Sequence, residues 1–338
     1  MKIALLNIPI RAPWLGSDAW ITVPPQGYGG IQWVVATLID GLLELDHEVF
    51  LLGAPGSPST SSSLKVIQRG ASDDIQNWLQ QNEVDIVHDS SNGVVPLDEL
   101  FPSSVYISTH HLTGAPKNPM NTVYLSNAQR RQAGAQPDAP VIRLPVNPAR
   151  YIFKREKRDY LLFLGRVSRW KGALEAAAFA KAAGLPLMLA GPSWEDDYLQ
   201  EILSSYGDVV RFIGEVSGDD RLNLLADAKA LMVMSQPVAG PWGDEWCEPG
   251  ATVVSEAAAS GTPVIATDNG CLAEIAVKVG YVLRCGEIVT PRRAEDILNS
   301  LPSPDQVRAV AIHEWSHVKV ARQYENLYTE IIGGRRWC

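Results

Sequence analysis

The chain has 338 residues, of which 46% are hydrophobic and 20% are charged, a balance typical of globular proteins and not of disordered or fibrous ones. This length exceeds that of one ordinary hydrophobic core, so two domains are expected. The formal net charge of -9 argues against a nucleic-acid partner, because binding phosphates requires clustered Lys and Arg.

The first part of the chain alternates strand and helix patterns. An apolar run predicts a buried strand over residues 3–8, and apolar residues on one helical face predict a helix over residues 31–43. Alternation of this kind predicts a parallel sheet with helices on its faces. Further strands are predicted at residues 49–52, 85–88, 105–109, 122–125 and 141–144.

The alternation restarts after residues 145–158, an interval with two prolines and a run of charges that predicts a hinge. The predicted fold is therefore α/β, with two Rossmann-like, doubly wound domains at residues 1–150 and 151–310. A C-terminal helix within residues 311–338 is expected to cross back over the cleft where such folds bind ligands. In the second domain, strands are predicted at residues 160–164, 187–190, 210–213, 231–234 and 263–266, and helices at residues 172–183, 195–205, 220–228 and 252–260.

Cysteine usage and hydropathy bear on the cell compartment. The four cysteines show no C-x-x-C pairing, which argues against a zinc knuckle or a disulfide scaffold and predicts a cytoplasmic protein. The N-terminal apolar run is interrupted by Asn7 and Pro9, so it does not match a signal peptide, and the sequence has no run of about 18 apolar residues to predict a membrane span. The basic runs at residues 130–131 and 154–158 are interpreted as solvated surface.

Two glutamates flank the start of a predicted helix. Pro249 and Gly250 do not belong in a helix interior, so Glu248 lies in a loop and Glu256 about one turn inside the helix that follows. Carboxylates placed in this way could hold sugar hydroxyls beside an anion that the helix N–H groups bind. The alternative is that both glutamates only interact favourably with the helix dipole.

A second segment joins a strand to two cations. The predicted strand at residues 160–164 runs into Gly165 and Arg166, and Lys171 follows at the start of the next helix. Two such cations can clamp a diphosphate and stabilise the charge that develops on it when its bond to a sugar breaks. The spacing is not that of a Walker loop, and exposed loop cations are the alternative interpretation.

Together these segments resemble the family-4 retaining glycosyltransferases, which have the GT-B fold. The likeness is carried by the E-x7-E spacing of Glu248 and Glu256, by the Gly-Thr-Pro at residues 261–263 that leads into an apolar strand, and by the two cations. It implies that Arg166 and Lys171 bind the donor phosphates, that Glu248 holds sugar hydroxyls and that Glu256 binds the ribose.

The resemblance extends over nearly the entire chain. Gly250 and Ala251 belong to the implied donor site, but here the chain departs from the family pattern E-P-F-G, which leaves the identity of the donor sugar open. Segments at residues 24–33, 53–58 and 247–252 are more closely similar to the glycosyltransferases of orthosomycin antibiotic biosynthesis.

The predicted first domain supplies further implied contacts. Gly29 and Gly30 end a Pro- and Gly-rich loop before a helix, where adjacent glycines let the backbone approach a ligand, although a simple tight turn is the alternative. The resemblance implies that this loop and Gly165 face the donor phosphates, that His110 contacts the donor hexose, and that residues 126–129 lie on the acceptor side.

Two other histidine patterns are given no function. The sequence at residues 313–317 matches H-E-x-x-H, which can bind zinc on a helix, but the third ligand of a zinc enzyme does not follow and Trp315 belongs to an apolar stripe. The match is interpreted as chance, and no metal is expected. His88 is explained by packing at least as readily as by binding.

The implied reaction moves a sugar from a nucleotide-diphosphate donor to a hydroxyl of a small-molecule or oligosaccharide acceptor, with the anomeric configuration retained. The acceptor would attack on the face of the leaving group, and the donor phosphate would take its proton. No D-x-D motif occurs, so the cations are expected to replace a divalent metal, with the nucleotide sugar as co-substrate and no other cofactor. The alternatives are an epimerase or phosphorylase of the same fold, and a non-catalytic sugar-nucleotide sensor.

Overall fold

A computed structural model describes residues 1–11, 19–27, 29–100, 105–241 and 243–338. Within them the chain forms two compact units, Met1–Pro145 with Ser316–Cys338, and Val146–Trp315. These bounds differ by a few residues from the boundaries predicted at residues 150 and 310. The difference has a local cause, because the N–H of Val146 donates to the carbonyl of Trp315 at 2.9 Å and so ties the first residue of the second unit to its last.

The first unit is built on a parallel sheet. Its strands are β1 (Lys2–Asn7), β2 (Glu48–Leu52), β3 (Leu64–Val66), β4 (Ile86–Ser90), β5 (Tyr106–Thr109) and β6 (Thr122–Val123), and its helices begin with α1 (Gly30–Glu44), α2 (Ser72–Gln81), α3 (Leu97–Leu100) and α4 (Asn127–Gln132). The strands lie in the order β3-β2-β1-β4-β5-β6. The strand predicted at residues 141–144 is wrong: Val141 forms an isolated bridge with Tyr124, and the flanking prolines at 140 and 145 cannot extend a ladder of hydrogen bonds.

Alternate side chains of each strand enter opposite faces of this sheet. In β1, Ile3 and Leu5 belong to a core cluster with α1, whereas Ala4 and Leu6 belong to a second cluster with α2. Side chains of a strand point to opposite faces in turn, so a strand that is apolar throughout must be covered on both sides. The continuous apolar runs of the sequence therefore indicate a sheet that is covered by helices on both faces.

The second unit repeats this design. Its strands are β7 (Arg158–Leu164), β8 (Leu187–Ala190), β9 (Val210–Gly214), β10 (Ala228–Val233), β11 (Val264–Thr267) and β12 (Gly280–Leu283), and its helices are α5 (Ala173–Ala183), α6 (Asp196–Tyr206), α7 (Gly218–Asp227), α8 (Thr252–Ala259), α9 (Leu272–Ile275), α10 (Pro291–Asn299) and α11 (Pro304–Glu314). The strands are parallel in the order β12-β11-β10-β7-β8-β9. The order reverses between β7 and β10, as it does between β1 and β4 in the first unit, which is the arrangement of a Rossmann-like sheet.

Lys157 corrects the interpretation of residues 154–158 as solvated surface. Its ammonium donates to the carbonyls of Ala226 at 2.8 Å and Ser260 at 3.2 Å, and to the hydroxyl of Thr262 at 2.9 Å. Ala226 lies in the last turn of α7, and Ser260 directly follows α8. The lysine therefore satisfies carbonyl groups at the ends of two helices, which the helices themselves leave without donors.

The last helix, α12 (His317–Ile332), belongs to the first unit. Its buried face, which includes Tyr324 and Tyr328, shares a core cluster with residues of α1. The two helices approach closely at Gly41, where a Cβ atom would overlap the carbonyl oxygen of His317. Among the described residues, the structure contains no helix with both the length and the apolar character needed to cross a membrane.

Candidate donor-binding site

The loops after β7 and β10 meet where the strand order of the second sheet reverses, which is the place where doubly wound sheets bind ligands. The N–H of Gln236 donates to the carbonyl of Trp170 at 2.9 Å. Gly172 has a φ of 73°, and a Cβ atom on it would overlap the carbonyl oxygen of Met234. A glycine is therefore required where the two loops touch.

Lys171 and Glu248 lie on these two loops and form an ion pair. Nζ of Lys171 is 2.9 Å from Oε1 and 2.7 Å from Oε2 of Glu248. The Glu248 side chain is only 6% exposed, so its charge needs such partners. The Ser235 hydroxyl and the indole N–H of Trp246 also donate to Oε2, at 2.5 Å and 3.0 Å. The structure thus brings a predicted phosphate ligand and a predicted sugar ligand into direct contact.

Two opposing effects set the pKa of Glu248. Burial raises it, whereas the charge of Lys171 and the hydrogen bonds from Lys171, Ser235 and Trp246 lower it, and the resulting pKa lies below the ordinary value of 4.5. The carboxylate is therefore ionised at neutral pH. In that state it accepts hydrogen bonds and has no proton to donate, which suits it to hold hydroxyl groups and not to act as a general acid.

The loop after β11 holds the backbone of Glu248. Asn269 accepts from the N–H of Glu248 at 3.1 Å and donates to the carbonyl of Trp246 at 3.0 Å, while the N–H of Cys271 donates to the carbonyl of Glu248 at 2.8 Å. Gly270, with a φ of 59°, packs so closely that a Cβ atom would overlap the backbone of Glu248. Sequence reasoning missed this support, whose signal is the Asn-Gly pair one residue after β11.

Arg166 also lies on the loop after β7, and its guanidinium stacks on an indole ring. Its central carbon is 3.5 Å from the ring centroid of Trp194, a side chain that is 58% exposed. The pairing of β7 with β8 continues past the strands, because the N–H of Val167 donates to the carbonyl of Pro192 at 3.0 Å and Val167 forms a bridge with Ser193. This extension places Trp194 against the cation. Sequence reasoning did not identify Trp194.

Glu256 lies in the second turn of α8 and is 7% exposed. The Tyr151 hydroxyl donates to its Oε1 at 3.1 Å, and Arg221 of α7 forms an ion pair with its Oε2. The charge of Glu256 raises the pKa of the Arg221 guanidinium, despite burial that lowers it. Sequence reasoning missed both partners, since they lie 105 and 35 positions away and no motif contains them.

Gly250 and Ala251 connect Glu248 to α8. Ala251 directly precedes the helix and has a φ of 47° and a ψ of 64°. This left-handed conformation costs a residue with a Cβ atom about 1–2 kcal/mol. An alanine side chain also has no acceptor with which to cap the N–H groups of the first helical turn.

Two of the three predicted glycines, Gly30 and Gly165, occupy open positions. Gly29 directly precedes α1, and Gly30 is its first residue. A Cβ atom would meet nothing within 4 Å at Gly30 or at Gly165, whereas at Gly29 it would lie 3.0 Å from Pro25. Packing therefore does not explain a glycine at Gly30 or Gly165. The prediction that they approach a ligand stays a prediction, and Tyr28 of the same loop lies outside the described residues.

His110 follows β5 in the first unit and is buried. Its Nε2 lies 3.0 Å from the carbonyl of Gly114, which fixes the proton on this nitrogen and leaves Nδ1 as the acceptor. Burial lowers its pKa to about 4, so the ring is neutral at physiological pH. Gln129 donates to the carbonyl of His110 at 2.8 Å and so ties the segment at residues 126–129 to this strand end. The contact of His110 with a donor hexose stays a prediction.

His88 is a packed residue of the first unit. Its Nδ1 lies 2.7 Å from the hydroxyl of Tyr328, and its Nε2 lies 2.8 Å from the hydroxyl of Thr109. The Thr109 hydroxyl in turn lies 2.8 Å from that of Tyr324. Both ring nitrogens are thus used in a hydrogen-bonded chain that fastens α12 to β4 and β5.

The H-E-x-x-H match is split between two helices. His313 and Glu314 end α11, Trp315 follows, and His317 begins α12, where its Nε2 lies 2.8 Å from Glu44. The motif binds zinc only when both histidines lie on one continuous helix. Over the described ranges, no group of three or more His, Cys, Asp or Glu side chains is arranged to hold a metal ion.

Comparisons with known proteins agree with this geometry. Residues 150–302, which include Arg166, Lys171, Glu248 and Glu256, match the family described as Glycosyl transferases group 1. The structure is similar to that of AviGT4, a glycosyltransferase involved in avilamycin A biosynthesis, with 56% sequence identity, 100% of this chain and 99% of that chain covered, and a TM-score of 0.95. No curated protein matches the sequence.

More distant structures share the fold. Sucrose-phosphate synthase from Thermosynechococcus elongatus has 17% identity and a TM-score of 0.70, over 99% of this chain and 100% of that chain. Anabaena Alr3699/HepE, solved in complex with UDP and glucose, has 14% identity and a TM-score of 0.68, over 98% and 100%.

The fold and the site define the class as nucleotide-sugar-dependent glycosyltransferases with the GT-B fold. The chain belongs to the group 1 glycosyltransferases, as its full-length likeness to AviGT4 shows. It is therefore an enzyme that transfers a sugar from a nucleotide sugar, and the predicted fold class is confirmed.

Proposed function

We propose that the second unit binds the nucleoside-diphosphate end and the sugar of the donor where its strand order reverses. The observation that carries the proposal is the Lys171–Glu248 pair, with Nζ 2.7 Å from Oε2. It sets a cation beside an ionised carboxylate, and these charges match the two parts of a nucleotide sugar. Lys171 and Arg166 bind the diphosphate, and Glu248 accepts hydrogen bonds from the sugar hydroxyls.

Other residues of this unit complete the donor site. Glu256, held by Arg221 and Tyr151, has lone pairs left for the hydroxyls of the ribose. The first N–H groups of α8, next to Gly250 and Ala251, stabilise negative charge on the phosphates. Gly165 allows the backbone to approach them.

The proposed reaction retains the anomeric configuration. The oxygen of an acceptor hydroxyl forms a bond to the anomeric carbon while the bond from that carbon to the phosphate oxygen breaks. The proton of the hydroxyl passes to a phosphate oxygen, so a nucleoside diphosphate and a glycoside are the products. Arg166 and Lys171 stabilise the charge that develops on the diphosphate, and Glu248 orients the sugar ring.

We infer an oligosaccharide or another hydroxyl-bearing natural product as the acceptor. The support is the likeness to AviGT4, which is involved in avilamycin A biosynthesis. UDP-glucose is the first donor to try, because HepE, which shares the fold, was solved with UDP and glucose. GDP-, ADP- and dTDP-glucose complete the panel, and the nucleotide sugar that raises the melting temperature most identifies the donor nucleotide.

Substitutions at the pair test the proposal. Glu248→Gln keeps the shape of the side chain but removes its charge, and Lys171→Met removes the cation, so each is expected to lower kcat/KM for transfer by at least about a hundredfold. Lys229→Met, which breaks an exposed pair with Asp159, is the matched control and should leave turnover unchanged. Wild-type turnover in Glu248→Gln would contradict the proposed role of Glu248 in the donor site.

The products separate transfer from the rival reactions. Transfer releases a nucleoside diphosphate in step with the glycoside and in proportion to the acceptor supplied. An epimerase releases none, a phosphorylase needs inorganic phosphate, and a sensor binds the nucleotide sugar without turnover.

A further inference from the structure

The two oxygens of the Glu248 carboxylate have unequal surroundings. In the described part of the chain, Oε2 receives three hydrogen bonds, from Lys171 at 2.7 Å, Ser235 at 2.5 Å and Trp246 at 3.0 Å. Oε1 receives one, from Lys171 at 2.9 Å. A carboxylate oxygen has about two lone-pair sites, so Oε2 is saturated and Oε1 is the atom that can still accept from a ligand.

Trp246 contacts both members of the ion pair. Its indole N–H donates to Oε2 of Glu248, and the face of its ring lies 4.5 Å from Nζ of Lys171. A cation over the face of a tryptophan is attracted by the ring, and more strongly when water is excluded. Trp246 is 8% exposed and the Lys171 side chain 28%, so their contact is partly shielded from water.

Backbone contacts fix Trp246 in this position. Its N–H donates to the carbonyl of Val238 at 2.8 Å, and its carbonyl accepts from Asn269 at 3.0 Å. Gly240 lies against the ring, where a Cβ atom would be 3.0 Å from Cε3. These backbone contacts therefore hold the indole against Glu248 and Lys171.

The ion pair raises a problem that Trp246 solves. If Lys171 binds the donor diphosphate, the phosphate competes with Glu248 for the ammonium, and a buried carboxylate that loses its cation is strongly destabilised unless other donors remain. Ser235 and Trp246 are neutral and cannot be attracted away by the phosphate. They keep Oε2 satisfied and the carboxylate in one orientation throughout.

We propose that Trp246 is a positioning residue of the donor site, whose N–H fixes Glu248 so that Oε1 accepts from the sugar, and whose ring face retains Lys171 for the diphosphate. This inference rests on the proposed roles of Glu248 and Lys171. The indole N–H acts through Glu248 on the sugar, and the ring face acts through Lys171 on the diphosphate. The two can therefore be tested with different ligands.

The experiment compares two substitutions and two ligands. The probes are the best-binding nucleotide sugar among UDP-, GDP-, ADP- and dTDP-glucose and its bare nucleoside diphosphate, with dissociation constants measured by calorimetry. Trp246→Phe keeps an aromatic face but loses the N–H, so binding of the nucleotide sugar should weaken about tenfold while that of the nucleoside diphosphate stays within about twofold. Trp246→Leu loses both contacts and should weaken both ligands.

Matched variants control for damage to the fold. Trp315→Phe shortens another buried tryptophan of the same unit, 3% exposed and outside the site, and should change neither affinity. Ser235→Ala removes a different donor from the same oxygen and should reproduce the effect of Trp246→Phe on the nucleotide sugar alone. Equal affinities of wild type and Trp246→Phe for both ligands, or an equal loss for both, would overturn the inference.

A pH series adds a readout that packing alone would not change. Among the described residues, Lys171 is the charged side chain that contacts the Glu248 carboxylate. Two further titratable groups lie near the site: Asp268, on the loop after β11, accepts from the N–H of Cys285, and the thiol of Cys285 lies 3.8 Å from the carbonyl of Ser235. In Trp246→Phe the preference for nucleotide sugar over nucleoside diphosphate should be lost at a higher pH on the acid side than in wild type, by about one pH unit. An unchanged profile would count against the role of the N–H.

The result also distinguishes this inference from the proposed function. If Glu248→Gln abolishes the preference for the nucleotide sugar and Trp246→Phe does not, the donor site stands and the role of Trp246 fails. If Glu248→Gln itself leaves that preference intact, the proposed function fails.

Discussion

Ala251 adopts a backbone conformation that favours glycine, at the position where the resembling family has the glycine of E-P-F-G. With φ at 47°, its Cβ atom is strained. Ala251→Gly should therefore raise the free energy of unfolding by about 0.5–1 kcal/mol, the relief of strain being partly offset by the greater entropy of the unfolded chain. Urea denaturation measures the change.

Replacing a nearby alanine by glycine should change the free energy of unfolding in the opposite direction. Ala257 lies within α8 in helical conformation, so Ala257→Gly should lower the free energy of unfolding by about 1 kcal/mol. If Ala251→Gly lowers the free energy of unfolding as much as Ala257→Gly does, the backbone at Ala251 is not strained.

Glu248 links the site to stability at low pH. Because its pKa in the folded protein lies below the ordinary value of 4.5, its ionised form stabilises the fold above that pH, and this contribution is lost as the pH falls through the lower folded value. The difference in unfolding free energy between wild type and Glu248→Gln should be constant near neutral pH and should shrink below about pH 4.5. Denaturation curves across pH test this.

The control for this series is a surface pair. Glu314 pairs with Lys278 with 39% of its side chain exposed, and exposed pairs contribute little, so Glu314→Gln should differ from wild type by less than about 1 kcal/mol at every pH. A pH-independent difference for Glu248→Gln would show that its charge is not what stabilises the fold.

At the scale of the elements, Lys157 joins the ends of α7 and α8. Burial lowers its pKa to about 8, so it remains mostly protonated at neutral pH and keeps its three hydrogen bonds. Lys157→Met retains the apolar stem but leaves the carbonyls of Ala226 and Ser260 without this donor. We expect a loss of about 1–3 kcal/mol in the free energy of unfolding, measured by urea denaturation.

Lys181→Met is the matched substitution for this prediction. Lys181 is 53% exposed and pairs with Asp208 at the surface, so its loss should cost less than about 1 kcal/mol. Similar effects of the two substitutions would show that the interior position of Lys157 contributes nothing.

Every central strand was predicted, and so were two of the four edge strands, β6 and β9. Leu187–Ala190 is a short apolar run, and the strand has the predicted bounds. Leu64–Val66 and Gly280–Leu283 were not predicted; both lie at an edge of their sheet, where one side of the backbone faces no neighbouring strand and the side chains are less buried. Leu64–Val66 and Gly280–Leu283 each contain a single buried residue, so neither presents a continuous run of buried apolar side chains.

Local sequence patterns identified some residues of the site but not the contacts between them. Lys171 and Glu248 were recognised from separate motifs, but their contact joins positions 77 residues apart and depends on the strand order, which no local pattern encodes. Ser235, Trp246 and Asn269 belong to no motif at all. The fold places them around one residue, so the three-dimensional structure shows their role, although the Asn-Gly pair at Asn269 marks a turn in the sequence.

At the scale of the whole molecule, the last segment of the chain completes the core of the first unit. Tyr324 and Tyr328 reach the hydroxyl of Thr109 and the ring of His88, and the indole N–H of Trp337 donates to the carbonyl of Thr122 at 2.7 Å. These contacts all lie within the first unit, whereas the first and last residues of the second unit are hydrogen-bonded to each other.

Truncation after Trp315 should therefore unfold one unit and spare the other. Without residues 316–338 the first unit loses the buried face of α12, an apolar loss far larger than a single core substitution. Limited proteolysis should cut the truncated chain within Met1–Pro145 while Val146–Trp315 resists, and a nucleoside diphosphate should still raise the melting temperature of the resistant unit.

A single substitution separates loss of the segment from loss of one contact within it. Tyr328→Phe removes the hydrogen bond to His88 but keeps the packed ring, so both units of the full-length variant should stay resistant to protease. If the truncated chain is instead protected from protease within Met1–Pro145, the first unit folds without α12. Loss of both units would show that the fold of Val146–Trp315 depends on the first.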